Sequence, residues 1–313
     1  MKGLELSKKY YLEYGLPMLE RDFAQYLPFL AIGLVGSGSE CLGYDDEIST
    51  DHDFEPGFCI FLPDESIIDS KVEFMLERAY AKLPKEFMGY KRCSLSPVGE
   101  KRHGVIRLSD FLCARLGQSS HELSLNEWFL IPEYALAELT GGELFRDDSR
   151  LFTSIREKLS AFPRDVLLKK LAGNLLLMGQ AGQYNYYRCI SRGETGAAQL
   201  AVIEFVKSAM QAIFLLNGRY MPYYKWSFRA LGELEKFSSL SYSLEYLISS
   251  ENTPENSKLK YDMIEDIASL IIEELKSRSL TDGICSDLEK HAYSVNDRIA
   301  DNDIRNRNIL FAV

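Results

Sequence analysis

Phe29-Leu30-Ala31-Ile32-Gly33-Leu34-Val35-Gly36-Ser37-Gly38-Ser39-Glu40 is the stretch on which the fold turns. Its apolar half carries no charge and no helical spacing, and it stops at a cluster of glycines and serines. That combination reads as a buried strand leading into a tight loop. Upstream, residues 4–25 carry helix-like spacing interrupted by Gly15 and Pro17. Downstream, acidic residues lead to Asp51-His52-Asp53, read as entering a strand. Phe58-Cys59-Ile60-Phe61-Leu62, stopped by Pro63, continues as the second strand. Residues 70–83 read as a helix and 104–108 as another strand, with Ser109-Asp110 placed to cap the helix that follows.

Beyond Gly141 the texture changes. Residues 165–183, 197–217, 227–237 and 259–277 read as helices. In the last of these, Ile264, Ile267, Ile271 and Leu275 form one stripe. Residues 249–257, rich in Ser, Asn and Pro, read as a loop. The expectation is an α+β chain: a mixed α and β domain over 1–150, then a helical domain over 151–313.

The chain has 313 residues, 46% of them hydrophobic, enough for two modest cores. A net charge of −10 argues against a general nucleic-acid binder but leaves room for a few local cations around a phosphate. Cys41, Cys59, Cys93, Cys113, Cys189 and Cys285 are scattered, with no pairing at zinc-ligand spacing, and read as reduced thiols. The start of the chain, with Lys8 and Lys9 amid Tyr and Leu, carries no leader signature, and the run at 30–35 is too short to span a bilayer. A cytoplasmic protein without membrane attachment is expected.

The chemistry concentrates between Gly38 and Asp53. Alternate residues of a strand share a face, so Asp51 and Asp53 would project together and His52 away from them. Two carboxylates on one face repel unless a cation lies between them, and all-oxygen ligation suits Mg²⁺ or Mn²⁺. Gly38 lets backbone N–H groups approach a phosphate, and Ser39 adds a hydroxyl.

With Gly38-Ser39, a short spacer and Asp51-x-Asp53, the sequence resembles the DNA polymerase beta-like nucleotidyltransferase superfamily. The longer string Gly38-Ser39-Glu40, Gly43, Asp45-Asp46, Ser49 and Asp51-His52-Asp53 is similar to one bacterial branch of unassigned biochemical role. Segments 141–150, 191–194 and 219–226 share that likeness. The resemblance implies a nucleotidyltransferase-like mixed sheet flanked by helices, followed by a helical bundle, with a nucleotide held in the cleft between the domains. It implies a transferase that moves a nucleoside monophosphate from a nucleoside triphosphate to a small-molecule or protein acceptor and releases pyrophosphate. Asp51 and Asp53 would bind the metal, while Gly38 and Ser39 bind the triphosphate. Asp110 is the nearest candidate for the third carboxylate that such enzymes commonly use, its alternative being a helix cap. Lys225 would pair with a phosphate and Tyr223 stack on a base, against the alternative of aromatics packed in an interhelical turn. A transfer-RNA acceptor stays within the same chemistry. A protein that kept the fold for nucleotide binding and lost turnover is the competing reading.

Other polar groups have two readings each. Asp45, Asp46 and Glu47 are either site residues or an acidic turn. Glu204 is an acceptor-side base or the polar edge of a helix. The Tyr184–Tyr187 cluster lines a pocket or packs between helices.

Overall fold

The computed structural model describes residues 1–51, 54–92 and 102–313, with the backbone alone at 50 and 51. The chain divides into two compact units. One comprises Met1–Ser124 and Leu130–Ser160, the other Leu125–Phe129 and Ala161–Val313. The class is α+β: a small mixed sheet among helices, then a helical C-terminal part.

Up to Ser160 the helical elements are α1 (Gly3–Tyr10), α2 (Leu16–Asp22), α3 (Ser39–Leu42), α4 (Ser70–Ala81), α5 (Leu108–Leu116), α6 (Leu125–Leu130, of which Leu125–Phe129 belong to the second unit), α7 (Glu133–Thr140) and α8 (Thr153–Lys158). The strands are β1 (Ala31–Leu34), β2 (Cys59–Leu62), a short hairpin of β3 (Glu86–Phe87) and β4 (Tyr90–Lys91), β5 (Gly104–Arg107) and β6 (Glu143–Asp147). The main sheet has the order β5-β2-β1-β6. β1 runs antiparallel to both neighbours, whereas β2 and β5 run parallel.

Both central strands are buried along their whole length, which is why they read as continuous apolar runs rather than as alternations. Their alternate side chains still serve different faces. Ile32, Ile60 and Leu62 join Leu6, Tyr10, Tyr11, Leu19, Val72 and Leu76 in one core against α1, α2 and α4. Phe61 points the other way, into an edge-to-face triad with Phe111 at 5.0 Å and Phe152 at 4.8 Å. Each such aromatic contributes roughly 1.5–3 kcal/mol by burial. Phe152 precedes α8, and the Arg156 guanidinium donates to the carbonyls of Thr140, Gly141 and Gly142 at the end of α7. These contacts carry the first unit to Ser160, past the residue 150 suggested by the change in texture.

The register decides what meets what. Gly33 faces Cys59, Cys59 faces Gly104, and Gly33 faces Leu144. The exit of β1 and the entries of β2, β5 and β6 therefore lie at one end of the sheet.

The second unit holds α9 (Arg164–Met178), α10 (Tyr187–Ser191), α11 (Thr195–Leu216), α12 (Tyr224–Leu231), α13 (Leu240–Ser249), α14 (Pro254–Ser277), α15 (Leu288–Asn296) and α16 (Asn302–Asn306). α11 is long and apolar enough to cross a membrane, and 61% of its most apolar window is buried inside the structure. Its composition is that of a core helix, with Val202, Phe205, Val206, Ala209 and Ile213 enclosed. Two lysines are wholly buried here. Lys169 Nζ donates to Asn296 Oδ1 (2.9 Å), Arg307 O (2.8 Å) and Arg305 O (3.3 Å). Lys260 Nζ donates to Ser250 O (2.5 Å), Asn252 Oδ1 (3.0 Å) and Gln199 Oε1 (3.1 Å).

Several local expectations are corrected. α14 begins at Pro254 rather than near 259, because Thr253 caps it through Asn256 N and proline is tolerated in a first turn. α12 ends at Leu231, short of 237. α9 and α10 are joined without a break by a π-helical segment, Gly179–Tyr186, and a second one, Tyr11–Gly15, joins α1 to α2. Wide turns of this kind leave no mark in apolar spacing at the period of an α-helix.

Candidate functional site

The loop after β1 is built around glycine. Gly36 and Gly38 adopt φ of 125° and 124°, backbone that side-chain-bearing residues avoid. A Cβ on Gly38 would also collide with the Arg102 guanidinium and stand 2.7 Å from both carboxylate oxygens of Glu40. Gly38 ends in the one-turn helix α3, where Ser39 O accepts from Tyr44 N at 2.8 Å. Cys41 O accepts from Gly142 N at 2.8 Å, tying the loop to the entry of β6.

Two arginines flank this loop. Arg102, just ahead of β5, donates from Nη2 to Ser37 O at 3.0 Å and forms a close ion pair with Glu40. Arg115, in the last turn of α5, is buried with its guanidinium 3.7 Å from the centroid of the Phe111 ring. Its Nη1 donates to Phe111 O at 3.4 Å, and its Nε lies 3.8 Å from Glu138 Oε2. The space enclosed by Leu34, Val35, Ser37, Arg102, Ile106, Phe111 and Arg115 is about 10 Å³, room for one water at most. Two wider surface clefts, of about 710 and 550 Å³, lie among α1, α2, α4 and the β3–β4 hairpin. Neither includes a residue of the glycine loop.

Next to Arg102, the His103 ring is buried and its Nδ1 lies 3.1 Å from Glu55 Oε1. Nearby, burial among apolar groups, with the Glu40 charge adding to it, pushes the Cys41 thiol well above its ordinary range.

The acidic string before Asp51 has structural work. The buried Asp45 Oδ2 accepts from Gly3 N at 2.7 Å and so caps α1 from a distance. Lys2 Nζ donates to Asp45 O at 2.5 Å. Asp46 Oδ1 accepts from Ile48 N and Ser49 N, both at 3.1 Å, and shapes the 3-10 turn Ile48–Asp51. Asp51 therefore closes a turn, and β2 starts only at Cys59. Strand alternation cannot set the direction of Asp51. His52 and Asp53 lie outside the described residues, as does the side chain of Asp51. Among the described residues no three His, Cys, Asp or Glu side chains converge as a metal cluster would.

Asp110 sits elsewhere. β5 runs into α5 with no gap, Arg107 being the capping position, so Asp110 belongs to the exposed first turn rather than to a cap. Because β2 and β5 are parallel, Asp110 follows the end of β5 opposite Arg102 and the glycine loop. That far end is closed by Arg107, which donates to Glu73 Oε2 at 2.7 and 2.9 Å and to Pro63 O at 2.8 Å.

The remaining candidates belong to the second unit. Tyr223 is half exposed at the start of α12, its ring 4.4 Å from that of Tyr224. Lys225 is exposed, with Nζ 5.1 Å from the Trp226 ring centroid. Glu204 pairs with Lys207 at 3.7 Å on the surface of α11. Tyr186 is buried, whereas Tyr184 and Tyr187 face solvent.

Sequence reading missed Arg102, Arg115 and His103, and named Glu40 only as part of the string of resemblance. Basic residues directly ahead of an apolar run were the available signal for Arg102 and His103. Only the parallel pairing of β2 with β5 carries Arg102 to the glycine loop, while His103 meets Glu55 and Gly57.

One family model matches the chain: residues 128–227 are similar to the family described as Domain of unknown function (DUF4037). The matched stretch begins after the Gly38–Asp53 string and includes Tyr223 and Lys225. No curated protein and no solved structure matches this sequence.

Proposed function

We propose that the chain is a metal-dependent nucleotidyltransferase of the cytoplasm, with a nucleotidyltransferase-like first unit. It moves a nucleoside monophosphate from a nucleoside triphosphate, such as ATP, to a small-molecule or protein acceptor and releases pyrophosphate. The observation that supports this most is the convergence of the glycine loop after β1 with Arg102 and Arg115 at the sheet end where β2 and β5 begin. In an acidic chain, two guanidiniums beside a glycine loop form a local attraction for polyphosphate.

Asp51 and Asp53 would hold Mg²⁺ or Mn²⁺, which when bound neutralises charge on the phosphate oxygens. The described carboxylates nearby are engaged elsewhere, Asp45 with Gly3, Asp46 with its own turn and Glu40 with Arg102, so the donor set rests on that pair. Gly38 and Ser39 bring backbone and hydroxyl donors to the triphosphate, and Arg102 and Arg115 orient it. Tyr223 and Lys225 are proposed nucleotide contacts by resemblance alone. The position of Asp110 favours a second reading, nucleotide binding without turnover, because no base for the acceptor hydroxyl comes from that residue at this end of the sheet.

A nucleoside triphosphate with Mg²⁺ is expected to raise the thermal midpoint of the full chain, and Asp51→Asn with Asp53→Asn to abolish that rise. Equal stabilisation of wild type and the double variant would remove the metal-triphosphate site. Pyrophosphate release during incubation with labelled triphosphates and a metabolite extract separates transfer from binding.

A further inference from the structure

The glycine loop in its present arrangement has no room for a phosphate. Directly against Gly38 stand the Glu40 carboxylate and the Arg102 guanidinium, and the space behind the loop admits about one water. Glu40 is buried, with a side chain only 9% exposed, and the Arg102 side chain is 19% exposed. A buried carboxylate is retained only when a cation or several donors compensate its lost hydration. Here the compensating cation is one that the proposed triphosphate site uses. The carboxylate offers the guanidinium the negative charge and the acceptor oxygen that a phosphate would offer.

We propose that Glu40 is a built-in competitor for the polyphosphate of the substrate. Its carboxylate holds the Arg102 guanidinium in place over Gly38, and the substrate binds by exchange, taking Arg102 from Glu40. Arg102 does not have to be ordered at the moment of binding, because Ser37 O keeps a second hold on Nη2 during the exchange. The cost is that every anion must outcompete a charge already in the site. An incoming polyphosphate can do so because it carries several charges and grips a guanidinium through two oxygens. This inference rests on the reading of the loop as a triphosphate site.

The test uses the full chain and inorganic tripolyphosphate without divalent metal, followed by titration calorimetry. Glu40→Gln keeps the shape and removes the charge, and is expected to tighten binding at least ten-fold. Arg102→Gln is expected to weaken binding at least ten-fold, and the double variant to lose the gain of Glu40→Gln. In the wild type, the Arg102 Nε resonance is expected to move on saturation with tripolyphosphate as its carboxylate partner is exchanged. That second reading needs no variant. Binding by Glu40→Gln no tighter than wild type would overturn the competitor role, as would a stationary Arg102 resonance at saturation. If wild type is nevertheless stabilised by a nucleoside triphosphate with Mg²⁺, the transferase reading stands without it. If the chain binds neither tripolyphosphate nor a nucleoside triphosphate with Mg²⁺, both fall together.

Discussion

Two regions of the molecule hold cations in opposite ways. In the second unit, Lys169 and Lys260 are fully enclosed, and the oxygens they reach are backbone carbonyls and side-chain amides. Neutral acceptors satisfy the ammonium geometrically while leaving its charge unneutralised, and burial pulls the pKa of both lysines below the usual lysine range. In the first unit, Arg102 is held by a carboxylate and lies beside a loop of glycines. A cation wrapped in neutral oxygens is a fastener, because its partners are chain segments that must be somewhere. A cation wrapped by one carboxylate has a partner that another anion can replace. The contrast separates architecture from recognition more sharply than exposure does.

The largest expected effect tests the fastener. Lys169→Met removes the donor from Asn296 Oδ1, Arg305 O and Arg307 O and is expected to cost about 3 kcal/mol. Urea unfolding would report it, and a variant as stable as wild type would show that the lysine holds nothing. Gly38→Ala comes next. It forces a side chain onto backbone at φ 124° and against the Glu40–Arg102 pair, for an expected loss of about 2 kcal/mol. Hydrogen exchange should locate that loss in the first unit, with amides of the second unchanged; a uniform loss would mean that the units do not unfold separately.

The smallest effect is the response to alkali. The folded Cys41 thiol is raised and the unfolded one ionises near 9.0, so above that pH the unfolded chain releases a proton that the folded chain keeps. Stability then falls with rising pH, by about 1.4 kcal/mol per unit for one such group. Lys169 and Lys260 act with the opposite sign, since their folded pKa is depressed and the unfolded state binds more protons until about 10.5. Between pH 9 and 10.5 the first unit should therefore lose amide protection before the second. Cys41→Ala should remove part of that difference, and an unchanged profile would exclude the thiol as its source.

Strands β1 and β2 were legible because buried central strands are uninterrupted apolar runs ended by Gly or Pro, and β5 as a short apolar run that begins at Gly104. So were most helices of the second unit, whose stripes repeat at a helical period. β6 was not, because each of its residues is half-buried and Glu143, Arg146 and Asp147 break the pattern. The glycine loop was visible in the sequence as a loop. Its partners were not, since Arg102 and Arg115 reach it only through strand pairing and through the packing of α5. The supposed strand at Asp51 illustrates the limit: alternation was assumed where Asp46 instead bends the chain into a 3-10 turn.

The π-helical segment Gly179–Tyr186 has a further consequence. Along it Gly179, Ala181, Gly182 and Tyr186 are buried, on turns wider than those of an ordinary helix. The segment therefore works as a gear between α9 and α10. Each residue of difference in pitch turns the following helix by about 100°. The gear delivers Tyr186 inward to the Asn252 side chain and leaves Tyr184 and Tyr187 outside. Losing one residue from this span would preserve a helical rod while rotating everything after it, so its length is fixed by phase as well as by reach.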